Sequence, residues 1–157
     1  MEVLSLSGYF SQNVSRRVNA FFTVCFLLYN CIEEQHKKGR IIGKFKPDII
    51  YVDLENNKVD IIDDSGNIDE FLPYISPEQT GRLNRPIDLR SDLYSLGAIF
   101  YTLLTGKTPF FAEDLFGWCY AHISIQPEPP SNLNPEIPSI LSDIIMKLMA
   151  KSPDDRY

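Results

Sequence analysis

Apolar residues recur at Val14, Val18, Phe21, Cys25, Leu28 and Ile32, spaced by four and three, which puts them on one face of a helix. The spacing predicts a helix over residues 12–38, closed by Gly39, the residue type that accepts a left-handed C-terminal cap. Residues 1–13 carry no clear period before it and are expected to form an irregular lead-in. Two short β-branched runs follow, 48–52 and 58–62, joined by Leu54-Glu55-Asn56-Asn57. Asn-rich linkage between such runs predicts a hairpin. Residues 63–75 are acidic and loop-like.

The second half of the chain reads as helical. Asp92 precedes a run from Leu93 to Leu104 that is apolar on nearly all faces and stops at Gly106. Such a helix belongs in the centre of the fold, with an Asp start and a Gly stop. A shorter helix is expected over 113–123. The prolines of 126–135 predict an irregular connection, because Pro is excluded from helix and sheet interiors. A last amphipathic helix over 138–150 carries Ile140, Leu141, Ile144, Ile145 and Leu148 at helical spacing.

Bulk properties narrow the classes. A chain of 157 residues with 44% apolar content suits one domain with a real core. A net charge of −6 argues against nucleic acid as a partner. Cys25, Cys31 and Cys119 are odd in number and lack Cys-x-x-Cys spacing, so they read as thiols of a reducing compartment, and a cytoplasmic location is expected. Arg16 and Arg17 precede an apolar stretch, 20–32, that Asn30 interrupts and that falls short of the roughly 20 residues a bilayer span requires. It reads as a core helix, with no membrane partner expected.

Several candidate sites lose force on inspection. Asp63 to Asp69 lacks the register of a calcium loop. His36 and His122 show no metal-ligand spacing and are expected at a helix surface or cap. Ser76, Ser91 and Ser95 have no Gly-x-Ser-x-Gly context. Trp118 and Tyr120 read as packing residues, or else as a patch facing a partner.

A different set of signals falls in one order: His36-x-x-Gly39, Lys46-Pro47, Ile61-Ile62-Asp63, Ser76-Pro77-Glu78, Asp92 through Gly97, Leu104-Thr105-Gly106, Pro109-Phe110 and Asp155-Arg156. Over residues 14–157 this resembles the C-terminal lobe of a eukaryotic-type serine/threonine protein kinase, of the kind found in large bacterial multidomain sensor kinases. The resemblance implies a mainly α fold of the α+β family, a helical bundle with a small β-hairpin. The small lobe is expected to be absent and the lobe to be incomplete at its C-terminus. It implies structural roles for four residues. Glu78 would pair with Arg156, Asp92 would bond the catalytic-loop backbone as well as cap its helix, and Gly97 would belong to the central helix.

The same resemblance makes the chemistry look dismantled. The family pattern His-x-x-Gly-Ile-x-His-Arg-Asp-Leu-Lys-Pro-x-Asn overlays 36–49 without a gap, and Lys46 and Pro47 fix the register. Ile42 and Gly43 then stand at the His and Arg positions, Lys44 at the catalytic Asp and Ile49 at the magnesium-binding Asn. A lysine is ordinarily protonated at neutral pH, and an isoleucine offers no lone pair to a metal that demands oxygen ligands. Asp63 matches the Asp of Asp-Phe-Gly and is the one remaining candidate for metal or cofactor binding, with Asp64 and Ser65 replacing the Phe and Gly. Glu70 and Phe71 stand where the family has Gly and Thr near the substrate. No Gly-x-Gly-x-x-Gly and no Val-Ala-Ile-Lys occurs. Lys44 is expected either to pair with Asp63 or to be a solvated loop residue.

The resulting expectation is a pseudokinase fragment with no intact catalytic residue and no cofactor, acting as an interaction or scaffold module for a protein partner or a kinase small lobe. The alternative is a serine/threonine kinase that uses ATP and magnesium, with its small lobe supplied elsewhere. A decayed remnant of a longer gene is the third reading.

Overall fold

The computed structural model describes residues 4–12, 17–62 and 66–157. Helix α2 (Arg17–Lys37) buries Phe21, Val24, Leu28 and Ile32 along one face. The Gly39 N–H closes it onto the His36 carbonyl at 2.8 Å. Val14 lies outside the described residues, and Cys25 is only half-buried, so Val24 and Leu27 complete the inward stripe.

The irregular lead-in expected at the start is corrected by the structure. Strand β1 (Leu4–Ser5) leads into helix α1 (Leu6–Gln12), and Leu6 and Phe10 are buried in the core. Two apolar residues four apart are too few to register as a period, yet they suffice once a neighbouring surface covers them. Strands β2 (Ile50–Asp53) and β3 (Lys58–Ile61) form the expected hairpin, and β1 adds to it in an antiparallel sheet of order β1-β2-β3. Ile50 faces Ile61 and Val52 faces Val59. The turn is held by the Asp53 carboxylate, which accepts from the N–H of Glu55 at 3.1 Å and Asn56 at 3.0 Å. Residues 48 and 49, expected in the first strand, instead complete a 3-10 turn that Pro47 opens.

The central helix α3 spans Leu89–Thr105. Its cap is Asp88 rather than Asp92: the Asp88 carboxylate accepts from the Arg90 N–H at 2.8 Å, and Ser91 completes a reciprocal capping box. Asp92 therefore lies inside the first turn. Tyr94 through Tyr101 are all buried, the signature of a helix enclosed on every side. Gly106 ends it with φ 76°, its N–H on the Thr102 carbonyl.

Helix α4 (Leu115–Ser124) starts at Asp114, whose side chain accepts from the Gly117 N–H at 2.7 Å. A single turn, α5 (Pro130–Leu133), interrupts the connection expected to be irregular. Helix α6 (Ser139–Leu148) buries Leu141, Ile145 and Leu148, while Ile140 is exposed, so its inward stripe is narrower than the sequence suggests. Among the described residues no helix is long and apolar enough to cross a membrane.

α6 crosses α3 at Gly97, where backbone and side chains approach closely. A Cβ on Gly97 would lie 2.8 Å from both Leu148 Cβ and Met149 Cγ. Overpacking of this kind costs about 1–3 kcal/mol. Gly97→Ala is expected to lower unfolding free energy by that amount in urea denaturation, with no change in m-value.

Candidate functional site

The loop after α2 is fastened by one carboxylate. Asp92 is fully buried, and its two oxygens accept from the N–H groups of Ile42 and Gly43, each at 2.8 Å. His36 Nε2 donates to the same carboxylate at 2.9 Å. His36 was expected as a surface or cap residue; it instead links the end of α2 to α3. Gly43 adopts φ 76°, and its carbonyl accepts from the Gln79 side chain. Gln79 is itself oriented by a capping box with Ser76. The structure thus gives Asp92 the role of bonding the loop backbone and does not give it the helix cap.

That grip fixes where the neighbouring side chains lie. Phe45 and Ile49 are buried in the core, at 1% and 7% exposure, whereas Lys44 is exposed. Lys46 is 4% exposed, forms an ion pair with Glu70, and has its ammonium 4.8 Å from the centre of the Phe71 ring. Asp63, Asp64 and Ser65 lie outside the described residues, and with them the expected Lys44–Asp63 pair. Among the described residues no group of three or more His, Cys, Asp or Glu side chains gathers as metal ligands would.

The resemblance implies ATP and magnesium at this loop, and among the described residues Ile49, at the metal-binding Asn position, does not fit them. Ile49 presents hydrocarbon packed into the core, and Lys44 presents an exposed basic side chain where the family pattern has its catalytic carboxylate. The buried lysine of the loop, Lys46, is neutralised by Glu70.

The segment that follows is tied down from two directions. Glu78 and Arg156 are 3% and 5% exposed and pair bidentately, Nη1 to Oε1 at 2.7 Å and Nη2 to Oε2 at 3.1 Å. Ser91 adds a hydroxyl on Glu78 Oε1 at 2.7 Å, and Arg156 also donates to the carbonyls of Ala150 and Arg90. Burial works to raise the Glu78 pKa, but the bonds from Arg156 and Ser91 outweigh it and hold the carboxyl below its usual range.

His122 was expected at a helix surface; the structure corrects this. It is fully buried, with Nε2 2.8 Å from the Leu72 carbonyl and Nδ1 3.0 Å from the Tyr94 hydroxyl. A carbonyl can only accept, so Nε2 carries the proton and Nδ1 accepts from Tyr94. Burial pushes the His122 pKa down to about 4. Lys151 donates to the His122 and Ala121 carbonyls, and burial, with Arg156 nearby, pushes its pKa down to about 8. Trp118 stacks on the His122 ring, while Tyr120 is 57% exposed.

Of the residues singled out in the sequence, Glu78, Arg156 and Asp92 are thus brought into buried networks, and Gly97 into the helix crossing. The Lys46–Glu70 pair and the Gln79 brace were missed. The Ser76-x-x-Gln79 spacing of a capping box was a legible signal for the second; nothing local pairs Lys46 with Glu70.

No family model matches the chain. It is 33% identical over 155 residues to the serine/threonine-protein kinase Pkn1 of Myxococcus xanthus, covering 88% of this chain and 22% of that protein. It is 34% identical over 137 residues to the serine/threonine-protein kinase PknB of Mycolicibacterium smegmatis, covering 78% of this chain and 21% of that protein. A shorter stretch of 84 residues is 52% identical to hybrid signal transduction histidine kinase G of Dictyostelium discoideum, covering 54% of this chain and 2% of that protein. The chain therefore spans about a fifth or less of the length of these curated relatives.

These buried titratable groups make stability sensitive to substitution and to pH. Arg156→Met leaves the Glu78 carboxylate buried without its partner and is expected to cost about 3–5 kcal/mol; adding Glu78→Gln is expected to recover part of that loss, as a double-mutant cycle in urea would read. His122 has a folded pKa of about 4 against an ordinary 6.5, so the unfolded chain binds more protons between those values. Its contribution is complete above pH 6.5 and falls away as pH drops to about 4, on the order of 3 kcal/mol in all. Stability measured across that window is expected to lose this component of its slope in a His122→Gln variant.

Proposed function

We propose, from the premise that this chain is homologous to bacterial serine/threonine-protein kinases and has the mainly α fold of their C-terminal lobe, that it is a pseudokinase segment working as an interaction module. The observation that carries the reading is the contrast within one loop. Asp92 holds Ile42 and Gly43 in a defined conformation, while the two following positions that would carry the carboxylate and the metal-binding amide hold Lys44 and Ile49.

Phosphoryl transfer depends almost wholly on positioning and charge neutralisation. Lys44 offers no carboxylate to receive the proton of a substrate hydroxyl, and a buried Ile49 side chain cannot ligate magnesium. The Lys46–Glu70 pair supports the same reading, since it engages the one lysine of the loop that matches the kinase pattern. The unpaired thiols Cys25, Cys31 and Cys119 are in keeping with a cytoplasmic setting.

A second reading draws on the kinase names of the relatives and on the intact Glu78–Arg156 and Asp92 networks. In it, a small lobe on another chain completes a serine/threonine kinase that moves the γ-phosphate of ATP, with magnesium, to protein hydroxyls.

Thermal unfolding with and without magnesium-ATP separates the two. The interaction module is expected to show no shift at millimolar nucleotide. A ligand present at 100 times its dissociation constant adds about 2.7 kcal/mol; a gain of that order, with phosphate incorporated into a generic protein substrate, would overturn the proposal.

A further inference from the structure

An open groove of about 860 Å³ runs between α2, the loop at 40–44 and strand β3. Every residue from 57 to 62 lines it. Successive side chains of a strand point to opposite faces, so a strand lines a groove with consecutive residues only along its edge. The sheet order agrees, since among the described residues β3 is paired with β2 on one side and is the outer strand on the other.

The backbone register says which groups face the groove. The Ile62 N–H donates to the Ile49 carbonyl at 3.0 Å, extending the ladder in which Asp60 faces Tyr51 and Lys58 faces Asp53. Alternation in an antiparallel pair then turns the N–H and C=O of Val59 and Ile61 away from β2 and into the groove. The floor around them is apolar: Leu27 on α2, Ile42 in the loop, and the partly buried Val59 and Ile61.

Charge gives the groove a direction. Lys58 is matched by Asp60 at 2.7 Å on the strand itself, and Glu34 stands on the α2 wall. The loop wall contributes Arg40 and Lys44, and among the described residues neither has a carboxylate partner. An acidic side chain passing that wall would meet two cations.

We propose that the groove takes an extended segment of a protein partner, which adds as a further strand to the free edge of β3. The segment is apolar at alternate positions, to cover Leu27, Ile42, Val59 and Ile61, and acidic where it passes Arg40 and Lys44. Main-chain bonds supply affinity in this mode of recognition, and alternate side chains supply specificity. The proposal rests on the interaction-module reading and names its docking surface. It is tested without nucleotide, so its failure leaves the magnesium-ATP result standing on its own.

The probe is a blocked synthetic peptide of roughly eight residues, a usual strand length, with Val at alternate positions and Glu at one end. Saturable binding is expected, with slowed hydrogen exchange at the Val59 and Ile61 amides. A peptide ending in Lys, or the Arg40→Glu/Lys44→Glu variant with the original probe, is expected to bind at least about tenfold more weakly, the size of one lost charge-assisted bond. Val59→Pro removes an edge N–H that takes no part in the ladder and is expected to abolish binding while the chain stays folded. Should that variant not fold, N-methylation of the peptide amides that face β3 makes the same test on wild-type protein. Binding without protection of Val59 and Ile61, equal binding of both peptides, or no binding would overturn the proposal. Concentration-dependent self-association that protects the same two amides would overturn it in favour of a second copy as the occupant.

Discussion

A carboxylate with no exposure to water is costly unless hydrogen bonds replace its hydration. Asp92 meets that condition with two backbone N–H groups and an imidazole, all drawn from outside its own helix. The constraint is mutual. The carboxylate can stay buried only if residues 42 and 43 keep their N–H groups aimed at it, and those N–H groups find their acceptor in that carboxylate. From this one exchange the positions of Lys44, Lys46 and Ile49 follow, since the chain between Gly43 and the sheet is short. Gln79 grips the same turn from the other side, so the loop is held between α3 and the segment that precedes it.

The second buried network extends the same logic to the far end of the chain. Glu78, Ser91 and Arg156 join three distant stretches, and Arg156 stacks its guanidinium 5.0 Å from the Tyr94 ring centre. Tyr94 in turn bonds His122, which holds the Leu72 carbonyl. The segment before α3 has only short 3-10 turns of its own, at Ile68–Glu70, Leu72–Tyr74 and Pro77–Thr80. It is ordered by side chains that reach it from helices already fixed by packing.

How much of this was legible in the sequence depends on the range of each interaction. The long helices were readable because their periodicity is local and repeats over several turns. The hairpin was readable from its Asn-rich turn. Helix α1 was not, because its burial depends on a surface built from residues far along the chain. The Asp92 role was half readable: an Asp ahead of an apolar run invites a cap, yet the capping box at Asp88 and Ser91 had the better spacing and took that place. His122 was misread for a similar reason. A histidine on a short helix looks peripheral until Leu72 and Tyr94, neither adjacent in sequence, close over it.

Gly43 limits which side chains the turn of this loop can carry. Its backbone lies in the left-handed region at φ 76°, which costs a residue bearing a Cβ about 1–2 kcal/mol. The position is the one where the kinase pattern has an arginine. The left-handed turn at 43 thus favours the glycine present over the arginine of that pattern. An arginine introduced at 43 would therefore require the main chain of the loop to change as well as the side chain.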